Sequence, residues 1–400
     1  MKRGTIPAPV HAACRACGTA TRVILDLGQS PIANALLIDP AMQPATHRLG
    51  LSQCDTCGLV QNLVQLATET LFGGDYPYYS GVSQMVRQHF NDLAGEIAKR
   101  SPPGAIALEI GSNDGTMQLA LARHGIRCIG IDPAAGPVSL ATKAGCKAYC
   151  GILDNQMAVR LTQENGLFDI VTLSNVLAHV SEPVALLKHI RDVLQTDGLL
   201  VIEVQSWLAL VGSGSFDMVY HEHHSHFSLS SLAWALGQAG FGIQMVRNTA
   251  TQGGSLRVFC RMDASHSPAV QDRIEAERDD ISTAPARLHA HFEAFKVSVR
   301  AFGKAMRGKS VAGYGAAAKT VTLLASSMGD VTLTCVADRA PSKIGRYLPI
   351  NGIPIVSPDA MLATRPDAII LFAWNLRDEI LPTLRGHDVW VPLPQFARAS

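Results

Sequence analysis

Two Cys-x-x-Cys pairs near the N-terminus, alternating strands and helices from Ala105, and a second alternation from Ser310 together predict an α/β protein in three parts. The expected architecture is a central doubly wound, Rossmann-like domain, with a small zinc-knuckle domain before it and a Rossmann-like α/β domain after it. The boundaries fall at 1–80, 81–265 and 266–400. A chain of 400 residues exceeds one ordinary domain at roughly 150 residues each.

Composition removes several classes. With 47% apolar and 17% charged residues the chain is neither apolar-poor nor highly charged, which excludes disorder for most of it. Lys and Arg number 34 against 33 Asp and Glu, so the formal charge of +1 supplies no basic field for nucleic acid. No apolar run approaches the roughly 18 residues of a membrane helix. Pro7 and Pro9 stand where a signal peptide would place its apolar stretch. A cytoplasmic protein without membrane or nucleic-acid partners is expected.

The pairs Cys14/Cys17 and Cys54/Cys57 are each followed by glycine, Gly18 and Gly58. Four thiolates match a closed tetrahedral Zn²⁺ site and leave no open position for catalysis, so this metal is structural. Cys128, Cys146, Cys150, Cys260 and Cys335 are scattered and read as ordinary thiols. Asp75-Tyr-Pro-Tyr-Tyr-Ser80 follows, either a loop packing on the helix expected from Val82 to Lys99 or an aromatic lip over a pocket.

In the central part, Ala105–Ile110 reads as a strand, Gly111–Gly115 as a loop, Thr116–His124 as a helix and Arg127–Ile131 as a strand. Phe168–Leu173 is a further strand, Val184–Leu194 a helix, Asp197-Gly198 a turn and Leu199–Val204 a buried strand. Gly111 and Gly115 let a ligand approach the backbone, and Asp132 at the next strand tip suits ribose hydroxyls. Glu109 and Asp114 would repel a pyrophosphate and suit a cationic amino-acid head group, with Asn113 completing the loop. This combination favours S-adenosylmethionine over a dinucleotide. Asn175 and His179 follow the strand ending at Leu173, on the edge that faces the ligand crevice. They are either a cap with an ordinary histidine or a polar contact and an acid-base group.

Tyr220-His-Glu-His-His-Ser-His-Phe227 packs four histidines and a glutamate into six residues. The HExxH spacing fails, because Ser225 stands four after His221, which leaves a non-helical metal cluster or histidines satisfied in a core as alternatives to catalysis. Acid-base chemistry fits, since imidazole titrates nearest neutrality. In an extended segment His221 and His223 would share one face, and Tyr220 and Glu222 the other.

The third part is reached through a polar helical stretch, 265–309. Strands are expected at Ser310–Ala312, Leu333–Ala337 and Ala368–Phe372. Gly313-Tyr-Gly315-Ala-Ala-Ala318 fits the dinucleotide fingerprint, with Asp338 about 20 residues on. Lys319 and the run Asp338–Tyr347 offer cations to a phosphorylated substrate. An NAD-dependent sugar oxidoreductase is the rival reading.

The combination of both knuckles, Tyr78-Tyr79-Ser80, Glu109–Gly115, Asn175–His179, Tyr220–His223, Gly313–Lys319, Gly345–Pro349 and Trp374-Asn375 resembles the three-domain S-adenosylmethionine-dependent sugar C-methyltransferases of deoxysugar biosynthesis. The resemblance implies a methyl donor in the middle domain, structural zinc in the first, and the nucleotide of a 4-keto nucleotide sugar in the third, dTDP favoured over GDP. It implies His223 as the base that makes an enolate, alkylated at carbon 3. Tyr220 and Glu222 would position that base or the sugar, and His179 would sit near the ketone oxygen. Substrate contacts are implied for Tyr76, Tyr78, Tyr79, Asn175, Tyr314, Lys319, Arg339, Lys343, Arg346, Tyr347, Trp374 and Asn375. Two places depart from the pattern: His226, where Tyr is commoner, and Ile350-Asn-Gly352, where Gly-Thr is usual.

Overall fold

The computed structural model describes residues 13–72 and 78–399. In the N-terminal part, β1 (Thr21–Pro31) and β2 (Thr46–Cys54) form an antiparallel pair that β3 (Val60–Asn62) extends. The four cysteines sit in the turns at the ends of these strands.

The central sheet takes β4 (Ile106–Ile110), β5 (Arg127–Asp132), β6 (Lys147–Cys150), β7 (Phe168–Ser174) and β8 (Leu194–Gln205). The next strand, β9 (Ser225–His226), leaves this domain altogether. It pairs antiparallel with β3, Val60 opposite His226 and Gln61 opposite Ser225, so the histidine run closes the N-terminal sheet. The central sheet is completed by β10 (Phe241–Thr249) and β11 (Ser255–Met262), in the order β10-β11-β8-β7-β4-β5-β6.

Two expectations are corrected here. The sheet is parallel except for β11, which runs antiparallel to both neighbours. The connection over residues 250–254 is too short for the crossover a parallel return requires, so it makes a hairpin. The turn expected at Asp197-Gly198 is a bulge inside β8: Phe168 pairs with Leu194, but Ile170 pairs with Leu199. The inner strands are buried on both faces. Ile170, Val171 and Leu173 of β7 and Leu200, Val201 and Ile202 of β8 have no exposed surface, which explains their unbroken apolar runs.

The C-terminal sheet comprises β12 (Val311–Tyr314), β13 (Val336–Ala337), β14 (Ile355–Val356), β15 (Ala368–Leu371), β16 (Val389–Val391) and β17 (Ala397–Arg398), in the order β14-β13-β12-β15-β16-β17. All pairs are parallel except the last. β13 is shorter than the sequence suggested. Before this sheet comes the Arg278–Ala305 helix, about 42 Å long at 1.5 Å per residue. Its buried residues Ala284, Leu288, Phe292, Phe295, Val299 and Phe302 recur every three or four positions and form one apolar stripe.

That stripe does not serve one domain. A single apolar cluster joins Leu25, Leu27, Leu49 and Leu51 of the N-terminal sheet to Phe216, the long helix, and Val311 and Ile370 of the C-terminal sheet. Phe216 lies at its middle, edge-on to Phe292 at 5.0 Å and Phe295 at 5.1 Å. Among the described residues no helix is long and apolar enough to cross a membrane. Removing the Phe216 ring leaves a cavity where all three parts meet, and Phe216→Ala should cost about 3–5 kcal/mol. Urea unfolding measures it, and a loss below about 1 kcal/mol would mean that the site collapses around the gap.

Candidate active site

The knuckles are built by backbone geometry. Gly18 and Gly58 have φ of 76° and 74°, and their amides return to the carbonyls of Cys14 and Cys54. The four Sγ atoms lie within 4.8 Å of one another, with Cys14–Cys57 at 3.5 Å and Cys17–Cys54 at 3.4 Å. A tetrahedral Zn²⁺ with bonds of about 2.3 Å spaces its sulfurs about 3.8 Å apart, so this donor set fits the ion. It is the only such cluster among the described residues, and the histidine run forms none.

The glycine turn after β4 occupies the switch point, where β4 is flanked by β5 on one side and β7 on the other. Gly111 has φ 71°, and a Cβ there would lie 2.2 Å from Val176 Cγ2. Asn113 is also left-handed, at φ 47°. Its amide donates to Asp132 Oδ2 at 2.9 Å, while its side chain takes the Ser80 amide at 3.0 Å and donates to the Tyr78 carbonyl at 3.1 Å. Asp114 accepts the Gly81 amide at 2.8 Å, and the other oxygen of Asp132 accepts that of Ala134 at 2.8 Å. The backbone from Tyr78 to Gly81 is therefore strapped over the turn, and Tyr79 Oη reaches Gly136. Tyr76 lies outside the described residues. Glu109 is buried, and its Oε2 has no hydrogen-bond partner among the described residues. Burial, then the Asp132 and Asp114 charges, push its carboxyl well above the usual range. A buried acceptor at a turn lined by carboxylates fits a cationic group, as S-adenosylmethionine presents.

From the same edge, Asn175 (φ 56°) anchors its amide on the Glu203 carbonyl, and the chain runs past Val176 into His179. The histidine run is not extended where it matters. The His223 amide closes a turn on the Tyr220 carbonyl at 2.9 Å, which brings Tyr220 and His223 together in place of His221 and His223. Their rings lie 4.0 Å apart, with Tyr220 Oη 2.7 Å from His223 Nε2. The His179 ring is 4.8 Å from that of His223.

Backbone carbonyls set the tautomers. His223 Nδ1 faces Met218 O at 2.8 Å and His179 Nδ1 faces Glu222 O at 2.6 Å. A nitrogen against a carbonyl must carry the hydrogen, so each Nε2 presents a lone pair. Burial lowers both, His179 to about 4 and His223 well below 6.5, where neighbouring imidazoles add to the effect. Both rings are neutral at pH 7. His179 therefore offers an acceptor where a donor to a ketone oxygen was expected. Glu222, raised to about 7 by burial, contributes its carbonyl to this group while its carboxylate takes the Asn34 amide at 3.2 Å.

The C-terminal cations are met inside the chain. Lys319 is buried, bonded to Asn375 and set 4.8 Å over the Trp374 ring. Trp374 Nε1 donates to Asp217 Oδ2 at 2.7 Å. Burial raises Asp217 to about 6 and lowers Lys319 to about 8, each opposed by the other's charge. Lys343 sits on Asp338 and the Ala316 carbonyl, and Arg339 bonds Tyr314 Oη and Glu379. Tyr347 exchanges backbone hydrogen bonds with Leu37, and the Arg346 carbonyl receives the Ile355 amide. Arg339 and Tyr314 thus hold each other, Lys343 and Tyr347 are held by Asp338 and Leu37, and Lys319, Trp374 and Asn375 form the group that reaches Asp217, just before Tyr220.

Sequence reasoning passed over Asp217 and Glu203. Glu203 has a wholly buried side chain that binds His89 at 2.7 Å and Arg257 at 2.9 Å, and these contacts hold it below the usual carboxylate range against the opposing effect of burial. An acid inside the apolar run Leu199–Val204 was the available signal.

Comparison with known proteins matches residues 14–72 to a zinc binding domain, 85–245 to a methyltransferase domain and 250–391 to a C-methyltransferase C-terminal domain. C-methyltransferase NovU of Streptomyces niveus is 29% identical over 402 residues, covering 96% of this chain and 95% of that protein. A ubiquinone biosynthesis O-methyltransferase of Azorhizobium caulinodans is 27% identical over 33% of this chain and 54% of its own. The solved magnesium protoporphyrin IX methyltransferase of Synechocystis PCC 6803 aligns with 44% of this chain and 78% of its own, at 18% identity and TM-score 0.34. Switch-point site and matched domains define an S-adenosylmethionine-dependent methyltransferase. The dinucleotide reading of Gly313–Ala318 is left without support. More narrowly, the chain is similar over nearly its whole length to a C-methyltransferase, and its matches run in order from a zinc-binding domain in front to a C-methyltransferase C-terminal domain behind.

Two outcomes follow from this geometry. Gly111→Ala forces a methyl group into Val176 at a left-handed φ, and should cost about 1–3 kcal/mol and weaken S-adenosylmethionine binding, both readable by calorimetry. His224 is wholly buried, with both ring nitrogens unpartnered among the described residues, and its pKa falls to about 3. The unfolded chain takes that proton first, so the native state loses stability as pH falls from 6.5 toward 3, by up to about 1.4 kcal/mol per unit. His224→Gln lacks this liability, and the stability of wild type relative to the variant should fall between pH 7 and 4.5. A constant gap would contradict the argument.

Proposed function

We propose that the enzyme methylates the carbon next to the ketone, carbon 3, of a dTDP-linked 4-keto-deoxysugar. The observation that carries this reading is the paired tautomer: neutral imidazoles at His179 and His223, with lone pairs fixed by backbone carbonyls, beside the turn that suits the methyl donor. Carbon-directed transfer needs a base before the methyl step, because a carbon next to a carbonyl has no electron pair to attack with until its C–H bond is ionised, whereas a hydroxyl oxygen already carries one. Bound at Gly111–Gly115, S-adenosylmethionine supplies an electrophilic methyl group.

The residues of the chain do the rest. Substrate binding turns the Tyr220 hydroxyl from His223 Nε2 to the ketone oxygen, which frees the lone pair. Nε2 takes the proton from carbon 3, the C–H electron pair becomes the enolate, and the negative charge moves to the oxygen that Tyr220 stabilises. Met218 holds the imidazolium through its carbonyl. Glu109, Asn113, Asp114 and Asp132 hold the donor, and Asn175 stands between donor and sugar. Lys319, Trp374 and Asn375 steer the nucleotide end from the C-terminal unit, with Tyr78 and Tyr79 closing the crevice.

His223→Ala should abolish transfer to a dTDP-4-keto-deoxyhexose while S-adenosylmethionine affinity stays at the wild-type value, by calorimetry and product NMR. Unchanged turnover would transfer the base role to Tyr220, and Tyr220→Phe would then be the inactive variant.

A further inference from the structure

The segment carrying Tyr220 and His223 is held mainly from outside its own domain. Among its imidazoles His223 is anchored on the Met218 carbonyl, but His221 and His224 have no hydrogen-bond partner among the described residues. The bonds that hold its backbone converge on Asn62, a buried residue at the end of β3 that the proposed chemistry does not use. The Asn62 amide donates to His224 O at 3.0 Å, and its Nδ2 donates to Tyr220 O at 2.7 Å and His223 O at 2.8 Å. Two carbonyls face that nitrogen, so the side-chain orientation is fixed. Arg15 extends the clamp. Its Nη1 bridges Asn62 O at 3.1 Å and His224 O at 2.8 Å, and its amide binds Gln61 Oε1 at 2.9 Å. Arg15 lies between Cys14 and Cys17, inside the first knuckle.

We propose that Asn62 is a positioning residue for the Tyr220–His223 pair, and that Arg15 ties this clamp to the zinc knuckle. The zinc domain then sets the geometry of proton removal as well as stapling its own fold. The inference rests on the reading of His223 as the base. Displacement of a reacting group by about 1 Å costs on the order of 100-fold in rate.

The test compares Asn62→Asp, which replaces the amide donor by an acceptor of the same shape, with Asn62→Ala, which removes the donor without adding charge should the first fail to fold. Zinc content and S-adenosylmethionine affinity should match wild type in both. With a dTDP-4-keto-deoxyhexose, kcat should fall about 100-fold while KM for the sugar holds, and amide exchange over residues 219–227 should accelerate. A kcat within twofold of wild type overturns the proposal, and so does a fall in kcat without faster exchange. Should the wild-type enzyme leave that sugar unmethylated, the functional reading fails by itself. The exchange measurement, which needs no substrate, then decides alone: unchanged protection in the variants overturns the clamp.

Discussion

The whole arrangement depends on a stretch of polar chain being buried where three folding units meet. Residues 221–226 include four imidazoles and a carboxylate, yet none is more than 6% exposed. Buried polar groups without partners are costly, so such a segment persists only where its backbone is fully engaged. Pairing of β9 with β3 supplies that engagement. Burial in turn keeps the imidazoles neutral, and neutral imidazole is the form that accepts a proton. The cost of folding this segment and the protonation state of its imidazoles have one cause.

Much of the architecture could be read from the residues because it depends on local pattern. Gly111 and Gly115 marked the turn after β4, Asp132 marked the next strand tip, and the cysteine spacing marked the metal site. What escaped were features that depend on partners distant in sequence. The fate of Ser225–His226 is decided by Val60 and Gln61, more than 160 residues away. Period-two alternation therefore grouped His221 with His223, while the turn closed by the Tyr220 carbonyl pairs Tyr220 with His223. Tautomers were equally out of reach, since they depend on where Met218 O and Glu222 O come to lie.

The cations of the C-terminal unit show the same limit from the other side. A lysine at a helix start reads as a phosphate ligand, and composition cannot reveal that Asp217 waits across the domain boundary. Lys319 faces that carboxylate in a buried pocket with Trp374 and Asn375, so an incoming anion would compete with a charge already in place. The competition links events at the C-terminal unit to the residues just before Tyr220.

The shared apolar cluster has a practical meaning for anyone who would recombine these enzymes. Leu25, Phe216, Phe292 and Ile370 belong to different segments but to one interior. A chimera cut near residue 265 would inherit half a contact surface from each parent. Exchange of C-terminal units between relatives would succeed only when the stripe from Ala284 to Phe302 travels with the strands it covers, so the natural unit of inheritance is the interior rather than the domain.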